Sequence, residues 1–269
     1  MPAMYPEYGL EKVYEVSHED YLKQATFFKQ SFDQEFQKAI LSRIQIEEKP
    51  GSFDVGKFFI SLQNKYPNAF CHLINIPGAG IWAGASPETL LRINEGKAST
   101  ISLAGTKAKS DTQWTDKELE EQKIVTDYIE NAFSKLGIEN FEKEEVQDHQ
   151  AGNLVHLATK FNFNSQYLGG RLTEFISEFH PTPAVCGLPK DQALELIYKT
   201  EMHNREYYAG YCGPINYQDK TDLFVNLRCM KILPDKLALY VGGGLTAKSD
   251  PQKEWEETVL KAGTLLQMI

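Results

Sequence analysis

The sequence predicts a single α+β domain with substantial antiparallel sheet, on three observations. Short β-like runs outnumber helical ones, and the helices stand singly between groups of strands. Turn signals, Pro77-Gly78 and Asn94-Glu95-Gly96, fall between neighbouring β-like runs and join them as hairpins. No linker, repeat or low-complexity tract interrupts the 269 residues, so 1–269 reads as one domain.

The elements follow in order. Ser17 with Asp20 opens a helix expected to run through Phe36, with Tyr21, Ala25, Phe28, Phe32 and Phe36 as its apolar stripe. KAILSRIQI alternates as a strand, FFISLQNKYPNAF is helical, and FCHLINIP and GIWAGAS are strands. TLLRINEGKASTISLAGT predicts a hairpin about Asn94-Glu95-Gly96. A helix starts at Thr115, with Glu118 completing a capping box, and ends near Gly137. LVHLATKFNF, LFVNLRCMKIL and KLALYVGG are further strands around a helix at DQALELIYK. Ser249 or Asp250 caps a last helix, with Pro251 in its first turn.

Bulk composition excludes several classes. Hydrophobic residues at 42% and charged residues at 24% suit an ordinary globular core. No apolar run reaches the roughly 18 residues of a membrane span, and the first twenty residues lack the basic start and apolar segment of a secretion signal. Cys71, Cys186, Cys212 and Cys229 form no CxxC pair, which argues against zinc and a disulfide framework and points to a reducing cytoplasm. With a net charge of −9 and no basic tract, nucleic acid is not an expected partner.

Several charged residues sit where propensity would not put them. Lys38 shares strand parity with Ile40, Ser42, Ile44 and Ile46, so its amine is directed to the apolar face. Burial lowers an ammonium's pKa and makes a lysine a candidate base; a strand-end lysine reaching water fits the same pattern. Glu121 lies on the stripe of Ile124, Val125, Tyr128, Ala132 and Phe133, where it needs a cation, donor or metal, or else sits at the stripe's edge near the helix N-terminus. Glu254, Glu257 and Lys261 share a helical face. Either Glu257 and Lys261 form a solvated pair, or Glu257 joins Glu121 as an oxygen ligand of magnesium completed by waters and a substrate anion. Glu88, after Pro87 at a turn, is a candidate acid or an exposed turn residue. His156 and His180 lie among apolar neighbours, as core histidines do, and the glycines at 210, 213 and 242–244 suit turns or close backbone approach to a ligand.

Taken in order, KAILSR, GASPETLLR, LAGT, EEQKIVTDYI, LVHL, HPTPAVCGLP, REYYAGYCG, LFVNLR and GGGLTAKSDPQKEWEET resemble the chorismate-utilising enzymes. That family includes isochorismate, salicylate, anthranilate and aminodeoxychorismate synthases. The resemblance runs from about residue 38 to the C-terminus, with a shortened region before it. It implies two stacked, largely antiparallel sheets flanked by helices. It implies Mg²⁺ held by Glu121 and Glu257, with Glu254 close by, and chorismate bound by Ala104, Gly105, Thr106, His156, Tyr208, Arg228, Gly242 and Lys261.

Two positions then narrow the activity. Lysine at 38 resembles the water-using members, where ammonia users carry glutamine, and Ala104 stands where aminodeoxychorismate synthases often carry a nucleophilic lysine. The resemblance therefore implies an isochorismate synthase, with Lys38 as base and Glu88 as acid, and no glutamine amidotransferase subunit. Salicylate synthase is the alternative, followed by an ammonia-using synthase and a non-catalytic chorismate-binding paralogue. Two departures bear on substrate affinity. Lys109 stands where arginine usually follows AGT, and Glu206 where glycine usually follows Arg205.

Overall fold

The computed structural model describes residues 13–110, 113–151 and 154–269. The first twelve residues, most of the stretch read as lacking a secretion signal, lie outside the described residues. In chain order the elements are α1 (His18–Gln30), β1 (Lys38–Glu48), α2 (Val55–Lys65), β2 (Phe70–Ile76), β3 (Gly80–Ser86), β4 (Thr89–Asn94), β5 (Lys97–Ala108) and α3 (Asp116–Leu136). There follow β6 (Phe141–Lys143), β7 (Gln147–Ala151), β8 (Leu154–Asn164), α4 (Leu172–Phe179), β9 (Gly187–Leu188), α5 (Lys190–Thr200), β10 (Tyr211–Cys212), β11 (Thr221–Val225), β12 (Cys229–Ile232), β13 (Lys236–Leu245) and α6 (Pro251–Leu266).

The strands form two antiparallel sheets. One is six-stranded in the order β2-β3-β12-β13-β1-β9; the other runs β10-β11-β4-β5-β8-β6, with β7 also on β8. One apolar cluster joins them: Ile44, Trp82, Cys229 and Tyr240 from the first sheet meet Leu91, Phe161, Leu223 and Val225 from the second. α3 and α4 extend this core through Phe133, Phe175 and Phe179. α1 and α5 pack with β1, and α2 and α6 cover β3, β12 and β13.

Local signals account for most boundaries. Thr115 and Glu118 make the reciprocal capping box, and Gly137 closes α3 in the left-handed region at φ 67°. Glu95 and Gly96, at φ 50° and 77°, form the two-residue turn that pairs Asn94 with Lys97. The first helix stops at Gln30, short of the expected Phe36, because Asp33 accepts from the N–H groups of Glu35 and Phe36 (2.8 and 2.7 Å) and turns the chain. Phe36 is buried all the same, as part of the loop leading into β1.

LFVNLRCMKIL, expected as one strand, is two, and they lie in different sheets. The chain leaves β11, passes Asn226, Leu227 and Arg228, and enters β12, with Arg228 at φ 49°. A second crossing runs beside it, where Pro87 and Glu88 link β3 to β4. The crossings are hydrogen-bonded together, Ala85 N to Arg228 O (3.1 Å) and Val225 N to Glu88 O (3.0 Å). Two charged residues are thus placed where neither sheet claims the chain.

β9 is short but tightly seated. It pairs Gly187 with Ala39 and Leu188 with Lys38. Gly187 has φ 131°, and a Cβ there would lie 2.2 Å from the Lys38 carbonyl. Gly187→Ala is therefore expected to cost about 3 kcal/mol or more through overpacking and backbone strain. Urea denaturation measures this; a loss below about 0.5 kcal/mol, the level of an ordinary surface substitution, would contradict the packing account.

Candidate active site

β1 begins the site. Lys38 and Ile40 face inward from one side of the strand, while Ala39 and Leu41 join the α1–α5 cluster on the other. Ile40 N donates to Cys186 O (2.8 Å) and Ser42 N to Glu201 Oε1 (2.7 Å), both away from β13. Antiparallel alternation then leaves their partners Gly244 and Gly242 with backbone groups directed away from β1. On that side the Gly242 carbonyl accepts from Lys261 Nζ at 2.9 Å. A Cβ at Gly242 would sit 2.7 Å from the Tyr208 hydroxyl; one at Gly244 would sit 2.8 Å from Lys38 Cε and 3.0 Å from Glu121 Oε1. Here β13 carries no side chain because Tyr208, Lys38 and Glu121 fill the space.

The second sheet supplies the opposite wall. Ala104, Gly105 and Thr106 lie where β5 slips register against β8. His156 on β8 donates from Nδ1 to Gly105 O (2.9 Å), which leaves Nε2 to accept from Arg228 Nη2 (3.1 Å). Burial, reinforced by the Arg228 charge, drives the His156 pKa down to about 3, so this tautomer is neutral. Arg228 Nη1 donates to Thr264 Oγ1 (3.0 Å). The guanidinium is held by neutral groups, and its charge remains available to an anion.

Two helices complete the enclosure. On α3, Gln122 is clasped by Ala104 N (3.1 Å), Ser102 Oγ (2.9 Å) and Thr159 Oγ1 (3.2 Å), and this sets its neighbour Glu121 over the cavity. On α6, Glu257 and Lys261 pair at 2.6 Å. Burial opposes the Glu257 charge, but Lys261 and Lys117 outweigh it and lower its pKa. Glu254, one turn earlier, is raised by burial and by Glu257, against its ion pair with Lys117 (2.6 Å).

Of the thirteen site residues expected from the sequence, twelve line one cavity: Lys38, Glu88, Ala104, Gly105, Thr106, Glu121, His156, Tyr208, Arg228, Gly242, Glu257 and Lys261. Glu254 does not; it is buried behind Gly243 and bound to Lys117. The three-residue step from Glu257 turns its carboxylate toward Lys117 on α3. His180 stays outside this cavity, edge-on to Tyr211. The reading missed Tyr240, Thr182 and Lys117. Tyr240 shares strand parity with Gly242 and lines the cavity. Thr182 bonds Glu88, and Lys117 stands one helical turn from Glu121.

The carboxylates fit a hard cation in part. Glu121 Oε1 is buried without a hydrogen-bond partner, and Glu257 lies in the same cavity. Among the described residues no three carboxylate, imidazole or thiol groups cluster as metal ligands. Two carboxylates completed by waters and a substrate anion is a magnesium-type donor set.

Glu88 is 3% exposed, and its strongest influence is burial, which lifts its pKa to about 7 against Thr182 Oγ1 (3.2 Å), Lys38 and Lys261. An acid raised from 4.5 in the unfolded chain to about 7 in the fold destabilises the fold once ionised. The penalty is absent below pH 4.5, grows between the two values and is complete above 7. Glu88→Gln is therefore expected to gain stability over the native protein as pH rises from 5 to 8, on the order of 3 kcal/mol. Urea titrations of both proteins at the two pH values measure it; an equal gap at pH 5 and pH 8 would contradict the shift.

With this geometry in place, comparison with known proteins identifies the class. The family model described as chorismate binding enzyme matches residues 5–269, and the chain belongs to that family. It is 28% identical over 242 residues to isochorismate synthase EntC of Escherichia coli, covering 86% of this chain and 62% of that protein. It is 31% identical over 204 residues to anthranilate synthase component 1 of Aquifex aeolicus, covering 69% and 40%. The chain thus spans about three fifths of the length of EntC. Among solved structures it resembles an isochorismate synthase, DhbC, from Bacillus anthracis, with TM-score 0.84, 26% identity, and coverage of 94% of this chain and 72% of that one. The menaquinone-specific isochorismate synthase MenF of Escherichia coli shares the fold, with TM-score 0.83 at 23% identity, covering 94% and 61%. Among the described residues no helix is long and apolar enough to cross a membrane.

Proposed function

We propose that this chain catalyses the reversible conversion of chorismate to isochorismate. One observation carries the reading: a buried lysine and a buried carboxyl with a pKa near 7 face the same cavity, beside two cations that suit a dicarboxylate. Relatives named isochorismate synthase support it. Lysine at 38 and alanine at 104 favour water over ammonia and over a protein nucleophile.

The Lys38 amine takes a proton from water as the oxygen bonds to C2 of the ring. The two ring double bonds each shift one position, and the C4–O bond breaks. Protonated Glu88 donates to the departing hydroxyl, which leaves as water. Arg228, Tyr208 and the Gly242 N–H serve a carboxylate of the substrate, and Lys261 adds charge beside them. Glu121 and Glu257 would hold Mg²⁺, which supplies charge neutralisation at the ring carboxylate when bound. The reverse reaction exchanges the roles of acid and base.

The chain incubated with chorismate and MgCl₂ is expected to yield isochorismate, resolved by chromatography and proton NMR. Salicylate with pyruvate would move the assignment to a salicylate synthase, and an aminated, ammonia-dependent product to the anthranilate branch. Lys38→Ala is expected to lower kcat by about 10²–10⁴-fold, the span of general base catalysis, with KM little changed. A near-native rate in that variant would remove the base assignment. The forward rate of the native protein is expected to fall above about pH 7, as Glu88 loses its proton.

A further inference from the structure

A second cavity opens against the first. Pro87 and Arg228 border both, and Lys65, Tyr66, Asn68, Lys109, His149 and Thr264 are among the residues lining the second. Among the described residues no aspartate or glutamate lines it, in a chain whose net charge is −9. Lys107 is paired with Asp148 (3.8 Å), but among the described residues Lys65 and Lys109 make no ion pair. Both are exposed at the end of α2 and just past β5. His149, its pKa lowered by burial, adds little charge near neutrality. Thr264 lines this cavity while holding Arg228, so the guanidinium stands at the junction.

We infer that this second cavity is an antechamber for small dicarboxylate anions, in which Lys65 and Lys109 draw the substrate in and Arg228 receives it at the entrance to the reaction cavity. The inference rests on the function proposed above and deepens it by assigning a route of entry. The physical need is plain. A dianion approaching a chain of net charge −9 meets a repulsive field, and a local cluster of unpaired cations reverses it at one opening. Arg228 is suited to the transfer because its hydrogen-bond partners, His156 and Thr264, are uncharged. The sequence also gains a reading for Lys109, which keeps a positive charge where the resemblance leads one to expect arginine.

The test is stopped-flow tryptophan fluorescence of chorismate binding to the native chain and to Lys65→Glu/Lys109→Glu. At low salt the double reversal is expected to slow association about tenfold or more, and 0.5 M salt to erase most of the difference, because exposed charges are screened. Lys23→Glu/Lys29→Glu on α1 makes the same change in net charge elsewhere and is expected to alter association less than about twofold, since screening confines each charge to its own surroundings. Equal association rates for the native chain and Lys65→Glu/Lys109→Glu at low salt would overturn the antechamber. A second arm uses isophthalate, a rigid dicarboxylate, with amide shifts followed by NMR. Shifts at residues 65, 66, 68, 69 and 109 that vanish in the double reversal support the site; shifts confined to the first cavity refute it. Isophthalate and chorismate binding through Lys65 and Lys109 without turnover would leave the antechamber standing and remove the isochorismate assignment.

Discussion

The site depends on two residues of one stretch of backbone, Gly242 and Gly244, where β13 passes within contact distance of Tyr208, Lys38 and Glu121 and has no room for a methyl group. Those groups come from a strand, a helix and a loop far apart in sequence. They meet only because β13 presents bare main chain to them. The same bareness leaves the Gly242 carbonyl for Lys261, which ties α6 to the sheet and carries Glu257 with it. Shape and charge are thus set by the absence of two side chains.

Around that stretch the protein tolerates polar burial by giving most groups a defined partner. His156 is neutral and directional, Gln122 satisfies three groups at once, and Arg228 is held on both sides. Two carboxylate oxygens, on Glu121 and Glu254, remain without a partner among the described residues. Their cost is offset in part by Lys117, whose pKa is raised by Glu121, Glu254 and Glu257 against the opposing effect of burial. A buried carboxyl such as Glu88 adds to that burden when ionised. The cavity is therefore a place where stability is given up to keep reactive groups out of water.

Much of this was legible in the chain. Strand parity turned Lys38 inward, helical spacing put Glu121 on the buried stripe and joined Glu257 to Lys261, and the capping box fixed the start of α3. What parity could not reveal is a strand that changes sheet. LFVNLRCMKIL has unbroken β character, and only the left-handed backbone at Arg228 divides it. Local pattern also gives no view of contacts over long separations. Thr182 meets Glu88 across 94 residues and Lys117 meets Glu254 across 137, so neither was seen. Glu254 shared a helical face with Glu257 on paper, yet the packing of α6 on β13 sends one behind the strand and the other into the cavity.

The central claim is that a lysine-activated water, opposed by a protonated glutamate, exchanges a hydroxyl across the ring. The most direct measurement is mass spectrometry of the product formed early in the reaction in ¹⁸O-enriched water. The account predicts one ¹⁸O atom in isochorismate, on the C2 hydroxyl, introduced at the rate of product formation and lost in Lys38→Ala. Isochorismate carrying only ¹⁶O, with the original hydroxyl transferred within the substrate, would contradict it.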